Sequence, residues 1–430
     1  MPSKLLKTWQ TQVMALSTVA TLDVCEPVNL ERNPEAGFGT DVKELSVVFL
    51  SHSGEMFGAE RALLELIDGL GPKNVRCSVL LPSHGALEGE LERRRIAFAV
   101  VPYRWWMASG SVRTRLLQEA QTMMAFLPVV RQIRRWQADL IITNTCTVSV
   151  GAFAAYVLRK PHVWYIHEFG KEDHGITYDI GIRMATRVIS WMSDVVLVNS
   201  RAVQEYYARY IAPERLRRVD QAVTVEGCAD EVRPLVSRGQ TRPLRLVQIG
   251  RVEEGKGQMD SVLALGYLIR SGLLAELTLQ GPGEPGYLAR VRETIAQQGL
   301  EPYVRLPGYA GDVASIIRAA DIILVCSRAE AFGRVTIEAM KLGKPVVGAR
   351  SGATPDLIEE NFNGVLYTPG DHRELAGKIE LLIRTPGLTR QMTENACRWA
   401  REKFSLKQYA EQVFKVLTAV VGESRGQSPG

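Results

Sequence analysis

Glu330-Ala331-Phe332-Gly333-Arg334-Val335-Thr336-Ile337-Glu338 sets two carboxylates eight positions apart, just after the apolar run Asp321-Ile322-Ile323-Leu324-Val325-Cys326. That run has the length and β-branched composition of a buried strand, and the periodicity from Val335 to Leu342 predicts a short helix closed by Gly343. Glu330 then falls in the loop and Glu338 on the helix. A helix N-terminus near Gly333 offers unpaired N–H groups and a partial positive charge, which suits a diphosphate flanked by hydroxyls that carboxylates can grip. The same pattern also fits a surface helix with ordinary glutamates, since strand-loop-helix units are common in α/β proteins.

Outward from this stretch, strand and helix patterns alternate at short spacing, the mark of parallel α/β layering. Ser46–Leu50, Cys77–Leu81, Ala97–Val101, Leu140–Thr143, Val163–Ile166 and Val195–Val198 read as strands, with helical patterns over Arg61–Leu70, Val112–Trp136 and Gly181–Met192. A polar stretch over 224–243 reads as a linker. A second alternation then places strands at Leu246–Ile249, Glu276–Gln280, Ile322–Val325, Val346–Gly348 and Val365–Tyr367, with helices from Leu375 onward. The fold class is therefore α/β, with two Rossmann-like, doubly wound domains over 45–223 and 244–405 facing a central cleft where ligands should sit. Residues 1–44 read as an extension, and 406–430 as a helix and tail that could pack back on the first domain.

Composition agrees. A chain of 430 residues is too long for one average core, and 46% hydrophobic with 23% charged residues describes an ordinary globular protein. The six cysteines (Cys25, Cys77, Cys146, Cys228, Cys326, Cys397) are scattered and form no C-x-x-C pair, which fits reduced thiols in cytosol. No segment approaches the ~20 apolar residues needed to span a bilayer. A nucleic-acid partner is not expected.

Glu330, Glu338-Ala339-Met340 and Pro345-Val346-Val347, together with Gly352, Asn363-Gly364-Val365-Leu366, Pro369-Gly370-Asp371, Gly250-Arg251 and Lys256-Gly257, resemble the motifs of glycosyltransferase family 4, the retaining, GT-B-fold group. The resemblance covers roughly residues 45 to 420, departing at Asp356, where the family more often has glutamate. It implies transfer of a hexose or N-acetylhexosamine from a UDP- or GDP-sugar to a hydroxyl acceptor, such as a lipid-linked or polysaccharide intermediate. It further implies that Glu330 holds the sugar hydroxyls, Glu338 the ribose, Arg251 and Lys256 the diphosphate, and His167 a sugar hydroxyl. Phe332 and the backbone of Gly333, Val335 and Thr336 would complete the donor cradle. A GT-B-like epimerase or hydrolase, and a non-catalytic sugar-nucleotide sensor, are the rival readings.

Two glycine motifs imitate other sites. Gly250-Arg-Val-Glu-Glu-Gly255-Lys256-Gly257 matches a P-loop except at Gly257, which replaces the serine or threonine that would hold Mg²⁺. Gly281-Pro-Gly-Glu-Pro-Gly286 fits a dinucleotide fingerprint, yet two prolines remove donors and it is displaced from the first βα turn of its domain. A tight turn lining the nucleotide pocket explains it. No two aspartates are separated by one residue, so no Asp-x-Asp metal pair exists. No cofactor or metal is expected, and basic residues with helix dipoles would neutralise the leaving diphosphate.

In the first half, Gly54-Glu55-Met56-Phe57-Gly58-Ala59-Glu60-Arg61 follows a strand and opens a helix; it resembles the family's glycine-rich loop, which implies Gly58 by the donor and Gly54 and Glu60 on the acceptor side, a plain tight turn being the alternative. His167 ends a strand at the cleft edge. Asn199 and Ser200 end another on the acceptor side, Ser200 fitting a helix N-cap equally well. Between Lys73 and Arg135, eleven basic residues outnumber four acidic ones, alongside Trp105-Trp106-Met107 and Met123-Met124-Ala125-Phe126-Leu127. This suggests a peripheral association with an anionic membrane, on the inner face of a cytoplasmic membrane; a helix buried on one face, with solvated arginines and core tryptophans, fits the same pattern equally well.

Overall fold

The computed structural model describes residues 44–108, 112–227, 242–309 and 311–426. The expected extension, most of the linker, Cys25 and Cys228 lie outside the described residues. Strands β1 (Leu45–Leu50), β2 (Val75–Leu81), β3 (Ala97–Val100), β5 (Leu140–Asn144), β6 (His162–Ile166), β8 (Val195–Val198) and β9 (Leu216–Arg218) form a parallel sheet in the order β3-β2-β1-β5-β6-β8-β9. A small antiparallel ribbon pairs β4 (Met107–Ala108) with β7 (Thr177–Tyr178). The second sheet, also parallel, runs β12-β11-β10-β13-β14-β15 through β10 (Leu244–Ile249), β11 (Ala275–Gln280), β12 (Val304–Gly308), β13 (Ile322–Val325), β14 (Val346–Ala349) and β15 (Val365–Tyr367).

Sequence patterning missed β9 and β12, and both lie at sheet edges. Leu216-Arg217-Arg218 carries two arginines and β12 contains Pro307. Edge strands tolerate charge and proline because one side of their backbone has no neighbour, so they lose the apolar signature that marks central strands.

The helices that position the site are α1 (Gly58–Leu70), α2 (Val112–Arg135), α3 (Val150–Leu158), α4 (Ile182–Met192), α5 (Arg201–Tyr207), α6 (Gln258–Arg270), α7 (Arg334–Lys341) and α8 (Leu406–Gly426). The terminal α8 leaves the second domain after Phe404 and packs on the first. Its Tyr409, Val413, Leu417, Val420 and Val421, recurring at helical spacing, join one core with Leu63, Leu66, Ile67 and Leu70 of α1. A Cβ added to Gly69 would stand 2.7 Å from that of Ala410, so a small residue is needed where these helices meet. Burial of each large side chain there contributes about 1.5–3 kcal/mol.

The chain thus crosses between domains twice, near Val223 and Phe404. Buried Lys341 at the end of α7 donates to both crossings, 2.8 Å to Val223 O and 2.9 Å to Phe404 O. In the Trp105–Met107 stretch, expected as a membrane loop, only Trp105 stays exposed. Met107 is fully buried, and Trp106 stacks on Trp164 with ring centroids 5.5 Å apart while meeting Tyr178 edge-on. Of the basic cluster, Arg76 pairs with Glu44, and Arg93 and Arg94 with Glu90, so part of that charge is neutralised locally.

Candidate functional site

The C-terminal edges of both sheets face the cleft. On the second domain, β10 ends in the Gly250–Gly257 loop, which lies against the Gly281–Gly286 loop. Val252 N donates to Pro282 O (2.8 Å) and Glu284 N to Val252 O (2.9 Å), and a Cβ on Gly281 would stand 2.1 Å from Gly250 O. The second glycine motif therefore serves loop-to-loop packing. Gly257 (φ +65°) is equally constrained, since a Cβ there would lie 2.2 Å from Cys326 O. No serine or threonine fits, which removes the P-loop reading on steric grounds.

This packing aims Lys256 at Glu330, Nζ to Oε2 3.1 Å, with the two side chains 23% and 17% exposed. Burial works against the ammonium, but the Glu330 carboxylate outweighs it and raises the Lys256 pKa, so the charge persists. Glu330 is in turn held by its backbone. Ala353 N donates to Glu330 O (2.7 Å), and a Cβ on Gly352 would stand 2.4 Å from that oxygen. Arg251 is 61% exposed, with Nε 3.5 Å from Glu253 Oε2, and projects from the rim of the same loop.

Next to this pair α7 begins at Gly333, whose φ of +91° turns the chain into the helix without a side-chain cap. The first-turn N–H groups are left for a ligand. Thr336 in that turn is fully buried and its Oγ1 has no partner, an orphaned hydroxyl where an acceptor oxygen would fit. Glu338, one turn on, is 8% exposed with no hydrogen bond to its carboxylate among the described residues. Burial raises its pKa, against the pull of Arg334 and Arg61. Val335 is half-buried, and buried Phe332 packs edge-on against Phe404 at 5.9 Å.

From the first domain, the glycine-rich loop meets α7 directly, a Cβ on Gly58 standing 3.7 Å from Arg334 Cδ. Arg334 reaches past it to Glu65 of α1 in a bidentate ion pair, 2.8 and 3.0 Å. Gly54 has another task than touching an acceptor, because a Cβ on it would stand 2.2 Å from Ser83 O of the neighbouring loop. Glu60 is likewise a brace. It is fully buried and accepts from Phe57 N (3.2 Å) while pairing with His52 Nδ1 (2.8 Å). Ser200 caps α5, accepting from Val203 N at 3.1 Å.

His167 sits at the end of β6 but is not poised for proton transfer. Its Nε2 is 2.7 Å from Asn144 Oδ1 and its Nδ1 2.6 Å from Gln221 Nε2, so the partners dictate a proton on Nε2. Burial, with the nearby charges of His52 and Arg334, lowers its pKa to about 3. A saturated neutral ring positions its surroundings, and a sugar hydroxyl could reach a ring nitrogen only by displacing a partner. Asn199 Nδ2 donates to His167 O (3.0 Å), while Asn199 Oδ1 and Asn144 Nδ2 are buried without partners.

Sequence reasoning passed over His52, Asn144 and Gln221. His52 was findable, because it follows the C-terminus of β1 as His167 follows β6. Its ring lies 5.5 Å from that of Trp105, which is 38% exposed and donates Nε1 to His52 O at 2.8 Å. Burial opposes protonation of His52, but Glu60 prevails and raises its pKa. Asn144 and Gln221 carried no local signal, since only the fold brings them to the ring.

Comparison with known proteins agrees with this geometry. The glycosyl transferases group 1 profile matches residues 237–399, and the glycosyltransferase family 4 profile residues 57–226. The structure of Anabaena HepE in complex with UDP and glucose superposes with a TM-score of 0.71 at 26% identity, over 87% of this chain and 100% of that one. Among curated relatives, the alpha-D-kanosaminyltransferase of Streptomyces kanamyceticus is 27% identical over 40% of this chain and 44% of its own length. The D-inositol 3-phosphate glycosyltransferase of Corynebacterium kroppenstedtii is 32% identical over 34% of each. The match thus spans less than half the length of either curated relative. Two parallel α/β domains closing on such a cleft define the GT-B glycosyltransferase fold. The chain belongs to glycosyltransferase family 4.

Proposed function

We propose that this protein transfers a hexose or N-acetylhexosamine, with retention and without a metal, from a UDP- or GDP-sugar to a hydroxyl acceptor of the lipid-linked or polysaccharide class. The observation that carries the reading is the Lys256–Glu330 pair beside the uncapped start of α7, with Thr336 Oγ1 and the Glu338 carboxylate unpartnered next to it. The HepE complex with UDP and glucose supports a uridine donor and a glucose-like sugar.

In this reading the α7 amides, Thr336, Lys256 and Arg251 take the diphosphate, and Glu338 accepts from ribose hydroxyls. Glu330 accepts from sugar hydroxyls. As the glycosidic bond to the departing phosphate breaks, its developing negative charge meets fixed positive groups, and the phosphate oxygen can take the proton of a hydroxyl attacking the same face. Catalysis is then positioning and electrostatics, with His167 and Glu60 holding the frame.

The test is thermal stabilisation by a panel of nucleotide sugars. A ligand at 100 times its dissociation constant stabilises the native state by about 2.7 kcal/mol, and UDP-sugars are expected to give the largest shift. Transfer by the stabilising donor should persist in excess EDTA. No shift with any nucleotide sugar would overturn the substrate class, and activity lost to EDTA and restored by Mn²⁺ would overturn the metal-free mechanism.

A further inference from the structure

On the first domain, α3 and α4 present a face that the core does not use. The inner side of α4 buries Ala185, Thr186, Ile189 and Met192, whereas its exposed side chains are Arg183, Met184, Arg187 and Trp191. Trp191 is 54% exposed and leans on Tyr156 of α3, itself 48% exposed, with ring centroids 5.3 Å apart. Val157, Ile180 and Met184 extend this patch. Of the twelve large apolar side chains exposed among the described residues, five are here, so the face is a concentration rather than a scatter.

Charge completes the pattern. Arg159, Lys160, Arg183 and Arg187 are exposed, and none is paired with a carboxylate among the described residues. Neither α4 nor the segment Cys146–Pro161 contains an aspartate or glutamate. An aromatic and aliphatic strip flanked by unpaired cations, with no acid on either helix, is complementary to a surface that is apolar beneath and anionic on top. No helix among the described residues is long and apolar enough to cross a membrane, so contact through this face is peripheral.

We propose that the α3–α4 face is a docking surface for an anionic phospholipid bilayer, with Trp191 and Tyr156 at the headgroup boundary and the four cations on lipid phosphates. Orientation gives the contact a use. Because α4 leads into β8, which runs parallel to its neighbours, the start of α4 at Met184 lies toward the sheet edge that faces the cleft. Docking would bring the mouth of the cleft to the lipid surface, where a lipid-linked hydroxyl could enter. Only this last consequence rests on the proposed transfer. The docking itself stands apart from it, and lipid binding without donor binding would separate the two.

Co-sedimentation of the full chain with phosphatidylcholine vesicles, with and without phosphatidylglycerol, tests the proposal. Wild type is expected to bind the anionic vesicles at least tenfold more tightly than the neutral ones, less so as salt rises. Arg183→Glu/Arg187→Glu should abolish that preference and Trp191→Ala should weaken binding severalfold. The distant double reversal Arg292→Glu/Arg398→Glu should leave binding near wild type. All these side chains are exposed, so circular dichroism and Tm should be unchanged. Absence of wild-type binding, an α4 reversal that binds like wild type, or equal loss in the distant variant would each overturn the proposal. So would light scattering that finds a dimer dissociated by Trp191→Ala, which would assign the face to self-association.

Discussion

Lys256 and Glu330 hold each other in a partly buried loop pair, and each loses its charge partner if the other is changed. Removing a preorganised charge contact to a transition state costs ~2.7–4 kcal/mol, so Lys256→Ala and Glu330→Gln are each expected to slow transfer by roughly 10²–10³ while the fold survives. Single-turnover rates at saturating donor check this, and near-wild-type turnover would take that residue out of the site. The buried histidines make a different expectation. His162 lies between Thr143 Oγ1 (2.8 Å) and Met192 O (3.0 Å), and burial lowers its pKa, like that of His167, to about 3. Both are neutral in the fold but take up protons near pH 6.5 when unfolded. Their contribution to stability is thus fully present above about 6.5 and lost as pH falls toward 3, by roughly 1.4 kcal/mol per pH unit for each ring. Urea unfolding between pH 7 and 4 should show the decline, and a His162→Asn chain should show a shallower one.

The elements of the site depend on glycines that hold loops in contact. Gly352 (φ +55°) lies against the backbone of Glu330, where a Cβ would stand 2.4 Å from the carbonyl oxygen and 2.5 Å from the nitrogen. Gly272 (φ +82°) has nothing within 4 Å of the same hypothetical atom. Both alanine variants suffer the unfavourable φ, about 1 kcal/mol or more, but only Gly352→Ala must also push the Glu330 loop aside. Gly352→Ala is therefore expected to weaken donor binding at least tenfold, measured by calorimetry, whereas Gly272→Ala leaves affinity unchanged. Equal affinities would show that the Glu330 backbone is not held by this contact.

Across the whole molecule, the domains are joined by two chain crossings pinned on Lys341 and by the Arg334–Glu65 pair, whose side chains are only 14% and 10% exposed. Glu65 Oε1 also accepts from Thr224 N at 2.6 Å, so the pair ties cleft, linker and α1 together. Breaking a buried pair from one side leaves an uncompensated charge and typically costs 3–5 kcal/mol, while replacing both partners by apolar groups can be nearly neutral. Glu65→Leu is thus expected to lower stability more than the double Glu65→Leu/Arg334→Leu. A denaturation cycle with additive single effects would show that the two do not couple.

The central strands, the strand-to-helix turn at Gly333 and the positions of Lys256, Glu330 and Glu338 were legible because each rests on local signals: apolar runs, helical period and glycines where the backbone must turn. Those signals are carried by neighbours in the chain, so the sequence by itself determined the two α/β folds and the loops that follow their strands. It could not show that Glu60 and Gly54 brace loops, that Ser200 caps a helix, or that His167 is saturated by Asn144 and Gln221, residues 23 and 54 positions away. Nor could it show that Met107 is core and half-buried Trp106 packs against that core while Trp191 and Tyr156 are surface. Burial and hydrogen-bond partnership are properties of pairs distant in sequence, and only the tertiary structure decides which side chain spends its polar atoms on the protein and which keeps them for a ligand.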